Sequence, residues 1–195
     1  MNHNLHIFNL NGVSVKTTVS DEFIFGDLSG FFQPVNDYKT KVFGFDVEWL
    51  VKPDESACNC AIALCYGQSC LIIHFSTHVP EAVVNFLHRP NYTFVGFGIK
   101  ENVARLEKKY GFGCRNAVEL GPLAANLMKK PILSYYGVDE LAFEVCQLDL
   151  HKLRPFCSSF MDSETFDFSK KRAKFATINA YSYHKIGSKL FARFS

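Results

Sequence analysis

The stretch Val42-Phe43-Gly44-Phe45-Asp46-Val47-Glu48-Trp49 decides how this chain is read. An apolar run of strand length ends in carboxylates at i and i+2, and on a strand both project to one face. Such a pair can start a divalent-metal site, because hard cations favour anionic oxygen ligands. Taken alone, it more often caps a loop or pairs with a lysine. Further oxygen ligands must come from elsewhere, and at the two places where they are expected the chain has Asn102 and Asn179.

Upstream, residues 5–10 and 13–19 alternate in a strand-like way around Asn11-Gly12, a two-residue hairpin signal of the type I′ kind. Ser20-Asp21-Glu22 reads as a helix start reaching about Phe32, followed by a loop over 34–41. Downstream, a polar loop with Pro53, Asp54 and Glu55 leads to two strands, 61–66 and 70–75, joined by Gly67-Gln68-Ser69. With the 42–49 strand these make an antiparallel meander. The period then changes, and 80–87 reads as a helix, 93–98 as an apolar strand, and Val103, Leu106 and Tyr110 as one face of a helix ending near Gly111. A short strand at 117–120 and helices at 122–128 and 138–146 follow. The last helix is expected from about Ser169 to Phe191, with Phe175, Ile178, Tyr181 or Ser182, and Ile186 along its inner stripe. Residues 148–171 mix polar groups and phenylalanines without a period and read as the flexible stretch.

A meander followed by alternating helices and strands implies an α/β fold with a central mixed five-stranded sheet flanked by helices. At 195 residues, 48% hydrophobic and 21% charged, the chain is sized for one domain, 1–195, with an N-terminal hairpin at 5–19 and a core at 42–192. A formal charge of +2 does not by itself predict nucleic-acid binding, so an anionic partner must be argued locally. The seven cysteines are odd in number, and the opening Met1-Asn2-His3-Asn4-Leu5 lacks a basic segment leading into an apolar one; a reducing, intracellular setting, cytoplasmic or nuclear, is expected. Cys58-Asn59-Cys60 has no second pair at zinc-finger spacing. No apolar stretch reaches membrane-spanning length, so no membrane partner is expected.

Three segments then carry a resemblance: Asp46-Val47-Glu48-Trp49, Thr93-Phe94-Val95-Gly96-Phe97-Gly98-Ile99 running into a helix, and Phe175-Ala176-Thr177-Ile178-Asn179-Ala180. In this order they resemble the motifs of the DnaQ-like DEDD 3′-5′ exonucleases, in the Werner-type and RNase D-like branch, and especially the small plant proteins that include the RISC-interacting clearing exoribonucleases. The resemblance implies an RNase H-like fold and hydrolysis of phosphodiesters by two Mg²⁺ or Mn²⁺ ions held on four carboxylates. It places the first two carboxylates on Asp46 and Glu48, the third on Asn102 and the fourth on Asn179, with the water-orienting tyrosine falling on Phe175. It also implies single-stranded nucleic acid as partner, RNA before DNA, and a homo-oligomer, including the ring that some small plant members form.

Positions 175 and 179 share one helix face. The substitutions are not neutral, because two amides in place of carboxylates remove half the charge that compensates two divalent ions. One weakly held ion, or none, is the expectation, and Phe175 cannot hydrogen-bond to water. Phe175 in the same motif argues for divergence rather than for engineered Asp→Asn changes. Glu101 adjoins Asn102 but points about 100° away on a regular helix. His184 lies five residues beyond Asn179 and is expected at a surface or helix end rather than as a general base. Lys100, Arg105, Lys171 and Lys174 are the candidate phosphate contacts, alongside Lys108, Lys109, Lys170 and Arg172; helix surfaces commonly carry such residues without a ligand. Besides exonuclease activity, a catalytically inactive binding module and an oligomeric scaffold built on the phenylalanines of 156–168 fit the same residues.

Overall fold

The structure, a computed structural model, describes residues 3–20, 28–32, 41–50, 59–153 and 170–194. Seven strands form one sheet: β1 (His3–Leu10), β2 (Val13–Ser20), β3 (Lys41–Leu50), β4 (Asn59–Tyr66), β5 (Ser69–Phe75), β6 (Tyr92–Gly96) and β7 (Ala117–Glu119). Their spatial order is β1-β2-β5-β4-β3-β6-β7. The meander β3-β4-β5 is antiparallel, while β3, β6 and β7 run parallel. The helices are α1 (Glu81–Leu87), α2 (Ile99–Tyr110), α3 (Leu120–Met128), α4 (Val138–Cys146) and α5 (Lys170–Phe194), with single 3₁₀ turns at Leu28–Phe32 and Pro131–Tyr135.

The five-stranded expectation is corrected to seven, because the N-terminal hairpin joins the sheet. Its strand β2 pairs in parallel with β5, from Lys16 opposite Ser69 to Ser20 opposite Ile73. Unpaired backbone groups on β5 and on the hairpin satisfy one another, and a bare edge beside the meander is removed. The hairpin turns as the sequence predicts, with φ of 54° at Asn11 and 83° at Gly12. The helix expected to reach Phe32 is represented by the 3₁₀ turn, its first part lying outside the described residues, as do the 53–55 loop, Cys58 and most of the stretch at 148–171.

The sheet has two differently built faces. Phe43, Phe45 and Val47 of β3 and Cys60, Ile62 and Leu64 of β4 pack with Phe32, Phe86, Phe94, Val103 and Leu106 under α1 and α2. Ring centroids there stand close together, 5.1 Å for Phe43 and Phe86 and 4.9 Å for Phe43 and Tyr92, which accounts for much of the phenylalanine content. The opposite face is lined by small residues, Ala61, Ala63 and Cys65, and receives α5 with α3 and α4. At Gly44 the approach is closest: a Cβ there would run into the Ala180 carbonyl oxygen and come within 2.7 Å of the His184 backbone nitrogen. Pleat alternation thus puts aromatics on one side and room for a helix on the other.

The inner stripe expected for α5 is also corrected. Every residue from Ala176 to His184 is buried, because the helix lies on the sheet and is covered from behind by α3 and α4. An all-round buried segment needs no amphipathic period.

Candidate active site

The contacts of α5 order it antiparallel along β3. Val42 receives the His184 ring on its carbonyl, Gly44 lies under Ala180, and Asp46 meets Asn179. Glu48 follows, with Arg172 two helical turns before Asn179 and so on nearly the same helix stripe. Phe175, half-buried, sits between those two positions. The site therefore forms where β3 ends and the early turns of α5 pass over it.

Asp46 and Glu48 alternate onto the α5 side, as their spacing predicts. The Asn179 side-chain amide donates Nδ2–H to Asp46 Oδ2 at 3.0 Å, joining residues 133 positions apart. Burial pushes the Glu48 carboxyl above its usual range; the Arg172 guanidinium draws it down, and the Asp46 carboxylate raises it further.

Asn102 goes elsewhere. The first turn of α2 is regular, with the Asn102 amide N–H donating to the Gly98 carbonyl at 3.0 Å. The Asn102 Oδ1 accepts the Trp49 Nε1–H at 3.0 Å. Trp49 projects to the α2 face, opposite Asp46 and Glu48, and carries the Arg105 guanidinium 4.1 Å above its ring. Tyr110 lies nearly parallel to the indole, at 14°. Glu101 is exposed. Lys100, Arg105 and Lys171 are exposed and Lys174 is half-buried. Lys100 and Arg105 stand on α2 and Lys171 and Lys174 on α5, the two helices that flank the end of β3.

His184 is not at a surface. It is 8% exposed, its Nε2 accepts the Gly67 N–H at 2.9 Å, and its Nδ1–H therefore donates to the Val42 carbonyl at 2.8 Å. Burial holds its pKa below the ordinary value, and it contacts β3 at Val42, four residues before Asp46. Its expected placement fails because α5 is enclosed beyond the point where a surface stripe would emerge.

Two positioning groups were not singled out by sequence reasoning. Glu119, at the end of β7, accepts the Gly98 and Ile99 backbone N–H groups at 2.6 and 3.1 Å and so holds the N-terminus of α2. The signal was an acidic residue closing a strand immediately before a helix. Trp49 was quoted as part of the first motif, and its indole N–H was the unread signal.

Among the described residues, the donor set at Asp46 and Glu48 does not fit a pair of divalent ions. Among the described residues no cluster of three or more His, Cys, Asp or Glu could hold a metal. One of the amides presents its nitrogen to Asp46, and the other has its oxygen engaged by Trp49.

No family model matches the chain. The RISC-interacting clearing 3′-5′ exoribonuclease 1 of Arabidopsis thaliana is 28% identical over 130 residues, 63% of this chain and 64% of that protein. The chain thus spans just under two thirds of the length of this curated relative. Brucella melitensis NrnC has the same fold, with a TM-score of 0.63 at 16% identity over 90% of this chain and 79% of its own. That protein has been solved with bound Mg²⁺ and with pGG. Escherichia coli RNase D, an exoribonuclease involved in structured RNA processing, superposes with a TM-score of 0.58 at 15% identity over 78% of this chain and 39% of its own. In sequence the chain is thus similar to the Arabidopsis 3′-5′ exoribonuclease, and in fold it is similar to NrnC and RNase D.

Proposed function

We propose that this protein engages single-stranded nucleic acid, RNA before DNA, at the cleft where β3 ends beneath α5, with its two-ion hydrolytic capacity depleted. The observation that carries the reading is the register of α5 on β3, which brings Asn179 to Asp46 and Arg172 within reach of the Glu48 carboxylate, with Phe175 one turn before Asn179 on the helix. That is the placement the family resemblance implies, with amide chemistry in place of carboxylate. Asp46 and Glu48 leave room for at most one weakly held Mg²⁺ or Mn²⁺. Arg105, held 4.1 Å over the Trp49 ring, is a candidate cation for phosphate together with Lys100 on α2, and Lys171 and Lys174 supply further charge from α5.

The test uses end-labelled single-stranded RNA and DNA of one sequence, incubated with Mg²⁺ or Mn²⁺ and either the native chain or Asp46→Ala/Glu48→Ala. Binding of RNA in preference to DNA is expected, with no shortening beyond that of the double variant. Absence of binding to both removes the nucleic-acid reading. Shortening abolished in the double variant shows that hydrolysis is intact.

A second reading, protein interaction through self-assembly into a homo-oligomer or ring, draws on the outer strand β1, where Leu5 is 55% and Ile7 68% exposed. The 156–168 segment lies outside the described residues. A stable oligomer by light scattering without nucleic-acid affinity favours this alternative.

A further inference from the structure

Two carboxylates at one strand end repel each other and any approaching phosphate unless something compensates them. In a two-ion site the metals do so. Among the described residues, Asn179 and Arg172 of α5 both act on the pair. Asn179 aims an N–H at Asp46 Oδ2, so the side-chain atom nearest that carboxylate is a donor nitrogen and not a cation-binding oxygen. Arg172, two turns earlier on the helix, brings a permanent positive charge whose field acts on Glu48.

The third position is closed in a different way. An amide oxygen is the one atom of Asn102 suited to a hard cation, and the Trp49 indole N–H already uses it. Trp49 in turn contacts the Arg105 guanidinium and the Tyr110 ring, so turning the amide away would cost the indole its hydrogen-bond acceptor in this cluster.

We infer that the Asp46–Glu48 site is compensated from within the chain, by the Asn179 amide and the Arg172 guanidinium, and takes no divalent cation. The carboxylate pair is then a hydrogen-bonded structural tie between β3 and α5. Resting on the RNA reading above, a second consequence follows: RNA binding by this cleft is independent of Mg²⁺ and Mn²⁺.

The experiment is a Mn²⁺ titration of the whole chain, followed by calorimetry and by the fluorescence of Trp49, the single tryptophan of the sequence. The native chain is expected to give no saturable heat and no saturable quench through the millimolar range. Asn102→Asp/Asn179→Asp, which returns two carboxylates, is expected to bind Mn²⁺ saturably. Should that variant fail to fold, Arg172→Gln decides the matter: removing one guanidinium raises the site's affinity for Mn²⁺ by about tenfold or more. Saturable Mn²⁺ binding by the native chain that Asp46→Ala abolishes overturns the inference, and so does an Arg172→Gln variant as silent as the native chain. In parallel, anisotropy of a labelled single-stranded RNA is read in EDTA and in Mg²⁺ at matched ionic strength, with affinities expected to agree within about twofold. Binding lost in EDTA also overturns it. Absence of RNA binding in both media refutes the RNA reading instead, and the Mn²⁺ titration alone then decides the cation question.

Discussion

Gly44→Ala is the substitution that most directly tests how this site is assembled. A Cβ at residue 44 would collide with the Ala180 carbonyl oxygen and lie 2.8 Å from its carbon and 2.7 Å from the His184 nitrogen. All three are backbone atoms of α5, so no side-chain rotation relieves them and the helix itself must lift from the sheet. Overpacking of this kind costs about 3 kcal/mol when the neighbours cannot yield. Alanine recovers about 0.5–1 kcal/mol over glycine in a strand interior, leaving a net loss of about 2 kcal/mol. For a domain of this size that lowers Tm by about 4–8 °C. Displacing α5 also draws Asn179 away from Asp46, so the stability loss and a loosened site arrive together. Thermal and urea unfolding followed by circular dichroism provide the assay, with Gly30→Ala as the control, since a Cβ there meets nothing within 4 Å. A loss below about 0.5 kcal/mol in Gly44→Ala, indistinguishable from an ordinary surface change, refutes the close packing of α5 on β3.

Trp49→Phe retains an aromatic face for Arg105 but leaves Asn102 Oδ1 without its indole donor, and urea unfolding is expected to show a loss of about 1 kcal/mol. Glu119→Gln keeps the shape of the cap on α2 while removing its charge, so a loss of about 1 kcal/mol is expected, smaller at high salt; an unchanged midpoint contradicts the capping role. His184 titrates below its ordinary value of 6.5 when folded, so the unfolded chain binds the proton first. Stability is therefore expected to be full above that value and to decline as pH falls from it toward the lowered folded pKa, with His184→Gln flattening this part of the profile. A native profile with the same slope as His184→Gln between about pH 7 and about pH 5 contradicts the buried neutral imidazole.

Most elements of the fold were legible because their patterns are local. Asn11-Gly12 demands positive φ at two consecutive residues, and the structure has it there. The meander announced itself by short apolar runs broken at Gly67, and α2 by its apolar spacing and closing Gly111, whose φ is 74°. Three placements were not legible. Joining of the hairpin to β5 depends on which backbone edges meet, and side-chain alternation says nothing of that. The enclosure of α5, with His184 inside it, depends on α3 and α4 covering a helix whose own lysines and arginines suggest an exposed face. The third displaced residue is Asn102, whose position in sequence follows the motif while its oxygen follows Trp49.

By itself the sequence determined the strand that carries Asp46 and Glu48, the common face of those two carboxylates, and the absence of acidic groups at Asn102, Asn179 and of a hydroxyl at Phe175. These are properties of residue type and of a two-residue period, and neither depends on the rest of the chain. Tertiary structure alone decided which way the amides turn and what compensates the carboxylates. Small residues along β3 and β4 let α5 lie close and antiparallel over the strand, and that contact sets Asn179 on Asp46 and Arg172 within the field of Glu48. Hydrogen bonds between groups this far apart in sequence are chosen by packing, because an amide can present either its oxygen or its nitrogen until its neighbours are in place.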